Sequence, residues 1–501
     1  MKSRLFYPSV LGLSMLVSAC GGGGSSSGFL GFPSATTPTT PTTPTTPVTP
    51  ETPTPPVAQV PTKNVIFFLG DGMGITTMTA SRIYKVGEDG ELTMDKLPET
   101  AFVHTYSNDG QVTDSAPSMA AYMTGVKMNN EVISMSPETQ ATDAAGNPYH
   151  VKFDSTCPAT GNGTPAETLL EQMKAANYST GVVSTARITH ATPATTYSHV
   201  CHRDAENTIA AALVPGGAGY NAKLADGVDV ILGGGSSYFT PLADGGLRND
   251  ARNLITELKS AKYSYAANKS EFDKLPVDGS KIAGLFTKSH MAYDLDRDPA
   301  KEPSLAEMTH KAIDALAAKK KGFFLMVEGG RIDHALHATN ARRALQDTVA
   351  FDDAVQAALT RMEAADPGLK NTLIVVTADH DHSLQMNGYA QRTGKTEPGK
   401  PGVLGLVKNY VDGKDSKDVD GNPYTILGFG NGPRRLPTRG PIEASALESA
   451  DFLQEAVIPL ATETHGGGDV FLGAQGLGAD NFAGSLTNNE VFGLVKKAIG
   501  L

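Results

Sequence analysis

The sequence predicts an α/β domain built on a large, mostly parallel central sheet with helices on both faces. Three observations predict it. Short apolar runs alternate with helical patterns from Asn64 onward. The runs are continuously apolar, as strands buried on both faces are. Each run also stops at something polar or Gly-rich: Asp71, Thr185, Gly233, Glu328 or Asp379. In open sheets of this kind, ligands sit beyond the carboxyl ends of the strands. The five endings therefore point to one shared site.

Strands are expected over 65–69, 179–184, 229–232, 322–327 and 373–377. Helices are expected over 165–176, 304–318 and 341–364. Two stretches, 130–162 and 385–460, are rich in Gly, Pro and charge with weak periodicity. They are expected as surface loops or, for 385–460, an inserted small subdomain. A chain of 501 residues, 40% hydrophobic and 19% charged, is long enough for a large catalytic domain over 63–501 plus appendages.

The first residues read as a targeting segment. Lys2 and Arg4 precede an apolar stretch that ends in Val17-Ser18-Ala19-Cys20. This resembles the lipobox of bacterial lipoproteins, cleaved before a lipid-bearing Cys. Residues 1–19 are thus expected as a lipoprotein-type signal peptide, and Cys20 as the anchor. Residues 20–62 are Gly/Ser-rich and then Pro/Thr-rich, which cannot build a core. At ~3.1 Å per residue in polyproline II, such a tether spans several tens of Å. No later apolar stretch reaches the ~18 residues of a membrane span, so membrane contact is expected through the lipid alone. The mature protein would face the periplasm or the cell exterior. Cys157 and Cys201 remain in that oxidising setting, where a disulfide between them is expected. The net charge of −11 argues against nucleic acid as a dedicated partner. An anionic substrate then needs local positive charge from metals or an Arg.

The residues that can carry chemistry lie at the strand ends. The stretch 323–340 runs from an apolar strand into Glu328, two glycines, Asp333 and His337. On a helix, residues four apart share one face, so Asp333 and His337 can grip one ion; the same spacing also occurs in solvated surface pairs. Asp71 stands among glycines, where backbone can approach a ligand closely or simply turn. Asp114-Ser115 before small residues reads as a helix N-terminus, a place that favours anions. Ser115 is either part of the cap or a nucleophile. No Gly-x-Ser-x-Gly elbow surrounds it, so activation by a metal is the natural option. Thr192 offers an oxygen suited to Mg²⁺ and His190 a nitrogen. Arg203 can clamp phosphate with two parallel hydrogen bonds. Asp379-His380-Asp381-His382 is dense in metal ligands, and His465 stands in a Gly-rich setting.

Here the sequence resembles a known family. LGDGMG, TDSAPSMAAYMTG, THATPATTYSHVCHR, VEGGRIDHALH, TADHDH and THGGGD are similar, in content and order, to the motifs of alkaline phosphatases. VILGGG at 230–235 and EPSLAEMT at 302–309 add to the likeness, which covers roughly 64–500. The resemblance implies that fold, hydrolysis of small phosphate monoesters with release of inorganic phosphate, and a homodimer. It implies Ser115 as the nucleophile that becomes phosphorylated and Arg203 as the phosphate clamp. It implies one zinc on Asp333, His337 and His465, and a second on Asp71, Asp379 and His380. Magnesium falls to Asp71, Thr192 and Glu328.

The ligand chemistry agrees with those assignments. Imidazole plus carboxylate suits Zn²⁺, and an all-oxygen set suits Mg²⁺. Two metals ~3.5–4 Å apart can stabilise both the attacking and the leaving oxygen of an in-line displacement. Asp114, His190, His334 and His382 are expected beside the ligands, tuning metals or substrate. His190 and His334 match animal-type members, where some bacterial ones carry Asp and Lys. Two rival readings are a phosphodiesterase of the same superfamily, which often uses Thr as nucleophile, and an anchored binding protein without catalysis. Ser115 and the complete ligand set argue against both.

Overall fold

The computed structural model describes residues 63–501. The expected signal peptide, Cys20 and the tether all lie outside the described residues. No helix among those described is long and apolar enough to cross a membrane.

Ten strands form the central sheet: β1 (Asn64–Gly70), β2 (Glu99–His104), β3 (Ser179–Arg187), β4 (Val230–Gly234), β5 (Ser264–Ala266), β6 (Ile282–Leu285), β7 (Phe323–Gly329), β8 (Thr372–Ala378), β9 (Val470–Gly476) and β10 (Gly484–Thr487). Their order is β10-β2-β9-β8-β1-β7-β3-β4-β6-β5. Only β9 runs against its neighbours; the other pairs are parallel. Every residue of β1, β7 and β8 is buried, which explains their unbroken apolar character.

The five expected strands became β1, β3, β4, β7 and β8. The others escaped notice for local reasons. β2 alternates and leaves Phe102 53% exposed. β5 has three residues, and glycines interrupt β9. Helix ends follow their caps. The 165–176 helix shortens to Leu169–Ala175 because Thr168 and Glu171 close a capping box. Ser304 and Glu307 do the same for Leu305–Ala317. The long helix Ala341–Ala365 starts at Asn340, whose side chain accepts the Arg343 N–H at 3.0 Å. Its Phe351 meets Phe68 of β1 edge to face at 5.8 Å.

The 385–460 stretch contributes most of a separate three-stranded sheet, made of Leu384–Met386, Leu427–Gly432 and Ala456–Pro459. The 130–162 stretch carries a short hairpin and Cys157, which is bonded to Cys201 with the Cα atoms 5.9 Å apart. That bond ties 130–162 to the loop bearing Arg203. Ile133 and Val200 reinforce it by exchanging backbone hydrogen bonds at 2.9 and 3.1 Å. The bridge spans 44 residues, so loop-closure entropy gives it about 4 kcal/mol. Cys157→Ser should therefore lower the thermal midpoint by several degrees. Calorimetry of the variant checks it.

Candidate active site

Strand register builds the centre of the site. Leu69 of β1 pairs with Glu328 of β7, and Gly70 pairs with Ala378 of β8. Asp71, Glu328 and Asp379 therefore emerge side by side at three adjacent strand tips. All three are fully buried. Asp71 Oδ2, Asp379 Oδ2, Glu328 Oε1 and the nearby Thr192 Oγ1 have no hydrogen-bond partner. Buried oxygens without donors are costly, and four of them together call for cations. Burial first, and the charge of Asp333 second, push Asp71 up to about 7. Burial and then Asp71 do the same to Asp379. Burial and Asp71 hold Glu328 well above the usual range. A metal-free site thus resists ionisation that bound cations would favour.

The imidazoles carry the same message through their tautomers. His337 Nδ1 faces the Glu463 carbonyl at 2.6 Å, and His465 Nδ1 faces the Thr113 carbonyl at 2.8 Å. With the proton on Nδ1, each ring offers the lone pair of its Nε2 to a metal. Those two Nε2 atoms lie 3.1 Å apart. They also lie 3.2 and 3.5 Å from Asp333 Oδ1. Ligands ~2.0 Å from a tetrahedral zinc stand about 3.3 Å from one another, so these separations suit Zn²⁺. His380 follows the pattern. Its Nδ1 faces the Asp381 carbonyl at 3.3 Å, while Nε2 lies 3.4 Å from Asp71 Oδ1 and 3.5 Å from Asp379 Oδ2.

His382 also enters the first cluster, its Nε2 2.9 Å from Asp333 Oδ1. Its Nδ1, however, donates to Glu463 Oε2 at 2.6 Å. The ring thus bridges two carboxylates. Burial opposes a charge on it, but Asp333 and Glu463 outweigh burial and raise His382 to about 10 in the metal-free protein. Gly72 makes room for this ring. At φ +66° it occupies the left-handed region, and a Cβ there would lie 2.4 Å from His382 Nε2.

Ser115 opens the helix Ser115–Thr124, and Asp114 is the cap, accepting the Ala116 N–H at 2.7 Å. Ser115 Oγ sits 3.1 Å from His380 Nε2 and 3.3 Å from Asp71 Oδ1. Arg203 donates to Asp114 Oδ1 at 2.9 Å and lies 3.1 Å from His190 Nε2. The cap that starts the serine's helix thus also fixes the guanidinium. His190 can join Asp71 and Glu328 as well. It also packs beside His334 and His290, with ring centroids 5.3 and 5.2 Å away. Burial first, helped by the charges of Arg331 and Arg187, pushes His334 down to about 3 against the opposing charge of Asp333.

The sequence reading missed His290 and Glu463. No ligand spacing marks His290, which stands on the loop after β6. Glu463 lay in plain view two residues before His465.

A family model for alkaline phosphatase matches residues 62–501. The chain belongs to the alkaline phosphatase family. It is 35% identical over 446 residues to an alkaline phosphatase of Gadus morhua, covering 83% of this chain and 87% of that protein. Against the tissue-nonspecific isozyme of Rattus norvegicus it is 35% identical over 451 residues, covering 83% and 79%. The Thermus thermophilus alkaline phosphatase shares the fold, with a TM-score of 0.62 at 24% identity, over 88% of this chain and 92% of that one. As an alkaline phosphatase the protein is a metal-dependent phosphomonoesterase.

Proposed function

We propose that this alkaline phosphatase works through a phosphorylated Ser115, with two zinc ions and one magnesium. Asp333, His337 and His465 would hold one zinc, and Asp71, Asp379 and His380 the other. Magnesium would take Asp71, Thr192 and Glu328, whose oxygens suit it. A variant of the alkaline phosphatase from the Antarctic bacterium TAB5 has Mg bound in its M3 site. When bound, the metals supply positive charge that lowers the serine pKa and stabilises charge on the entering and leaving oxygens.

The observation that carries this reading is the position of Ser115 Oγ, within 3.3 Å of both Asp71 and the bare nitrogen of His380. The Ser115 oxygen bonds to phosphorus as the bond to the alcohol oxygen breaks on the opposite side, and the hydroxyl proton passes through solvent to the departing alkoxide. The N-terminus of its helix and the guanidinium of Arg203 receive the phosphoryl oxygens. Water then attacks the phosphoserine from the side the alcohol left, breaking the bond to Ser115 and releasing inorganic phosphate. Each displacement inverts phosphorus, so the net outcome is retention. The substrates are small phosphate monoesters, and inorganic phosphate is product and inhibitor. We further propose a homodimer, exported and anchored by lipid on Cys20 at the periplasmic or outer face.

Hydrolysis of p-nitrophenyl phosphate and of bis-p-nitrophenyl phosphate, with and without EDTA, tests the reaction class. The monoester should turn over much faster, and EDTA should abolish turnover. A diester preference would overturn the proposal. Arg203→Ala should weaken inorganic phosphate inhibition at least about tenfold, as loss of a bidentate charged contact does. Unchanged inhibition would remove Arg203 from the site.

A further inference from the structure

Glu463 is fully buried beside the cluster of Asp333, His337, His382 and His465. Its carboxylate is divided between two tasks. Oε2 accepts from His382 Nδ1 at 2.6 Å, and Oε1 accepts the Ser383 N–H at 2.7 Å and the Ser383 hydroxyl at 2.5 Å. Its main chain does a third. The Glu463 carbonyl accepts from His337 Nδ1 at 2.6 Å, and the Glu463 N–H donates to the His337 carbonyl at 2.9 Å. One residue therefore orients two imidazoles of the cluster by different groups.

The two contacts have distinct consequences. The carbonyl fixes His337 with its proton on Nδ1 and its lone pair on Nε2, as a metal ligand requires. The carboxylate holds the His382 ring by Nδ1, and that places the ring's Nε2 2.9 Å from Asp333 Oδ1. That hydrogen bond fixes the rotamer of Asp333.

We propose that Glu463 is the positioning residue of the Asp333, His337 and His465 site, and that its carboxylate, acting through His382 on Asp333, sets how tightly that site retains zinc. This rests on the zinc assignment made above.

Zinc binding to the full chain tests it, in buffers of fixed free Zn²⁺ with bound metal counted directly. Wild type should take up two zinc ions; failure to bind at the Asp333 site would overturn the assignment itself, whatever Glu463 does. Glu463→Gln keeps the size but offers one acceptor oxygen where two are used, so His382 or Ser383 loses its partner. One zinc should then bind roughly 10–100-fold more weakly, the usual effect of losing such a support. The second zinc and magnesium should be unaffected, and kcat should recover at saturating zinc. Equal weakening of all metals, or no recovery of kcat, would indicate general loosening and overturn the proposal. So would unchanged zinc affinity. Ser383→Ala, which removes one of three donors to the carboxylate, should weaken the same zinc a few-fold. If Glu463→Gln does not fold, an unchanged affinity in Ser383→Ala overturns the proposal alone.

Discussion

Ser115→Ala should lower kcat/KM for p-nitrophenyl phosphate by about 10³-fold or more, as removal of a covalent nucleophile does. The site around it should survive. Ser115 Oγ contacts only Asp71 and His380, and the helix keeps its start because Asp114 is the cap. Bound metal in the variant should match wild type. Acid quenching with labelled phosphate should trap phosphoprotein in wild type and none in the variant. Activity within tenfold of wild type would show that water attacks the ester directly and that Ser115 is only the first residue of a helix.

Stripping the metals should cost both activity and stability, and the stability loss should grow with pH. In the metal-free protein Asp71 and Asp379 sit at about 7, against an ordinary value of 3.8. A folded-state pKa above the unfolded one stabilises the fold at low pH and stops doing so as pH rises through the folded value. Protonated, the two carboxyls lie neutral in the core. Between pH 4 and 8 they must ionise there, while the unfolded chain has already ionised in water. Each tenfold difference in proton affinity between the folded and unfolded chain is worth about 1.4 kcal/mol, so the combined loss is on the order of several kcal/mol. The chelated protein should melt progressively lower from pH 5 to about pH 7, with little further loss up to pH 9. With zinc and magnesium restored, bound cations favour the ionised form and that slope should flatten. Scanning calorimetry of both forms decides it; parallel pH profiles would mean that these carboxylates do not face metals.

Much of this was legible in the sequence, because buried parallel strands advertise themselves by continuous hydrophobicity. β1, β7 and β8 are the clearest cases, and their register alone aligns Asp71, Glu328 and Asp379. What stayed hidden had weaker local signals. β2 and β10 lie toward one edge, where one exposed face removes the apolar run. Glu463 stands among other polar residues, and only hydrogen-bond directions show that it supports the ligands around it. Spacing picks out candidates, but it does not say which nitrogen keeps its proton.

The bond from His465 to the Thr113 carbonyl joins residues 352 apart in the chain. It also has a bearing on time. Contacts of such sequence separation form late, after long loops have closed. The proposed zinc site at Asp333 can be complete only when the segment before β9 has docked beside the first third of the domain. A chain stalled short of that point holds Asp333 and His337 but lacks His465, and would release zinc readily. An ion held by all three residues, as in the proposed zinc site, would therefore mark molecules whose last strands have docked.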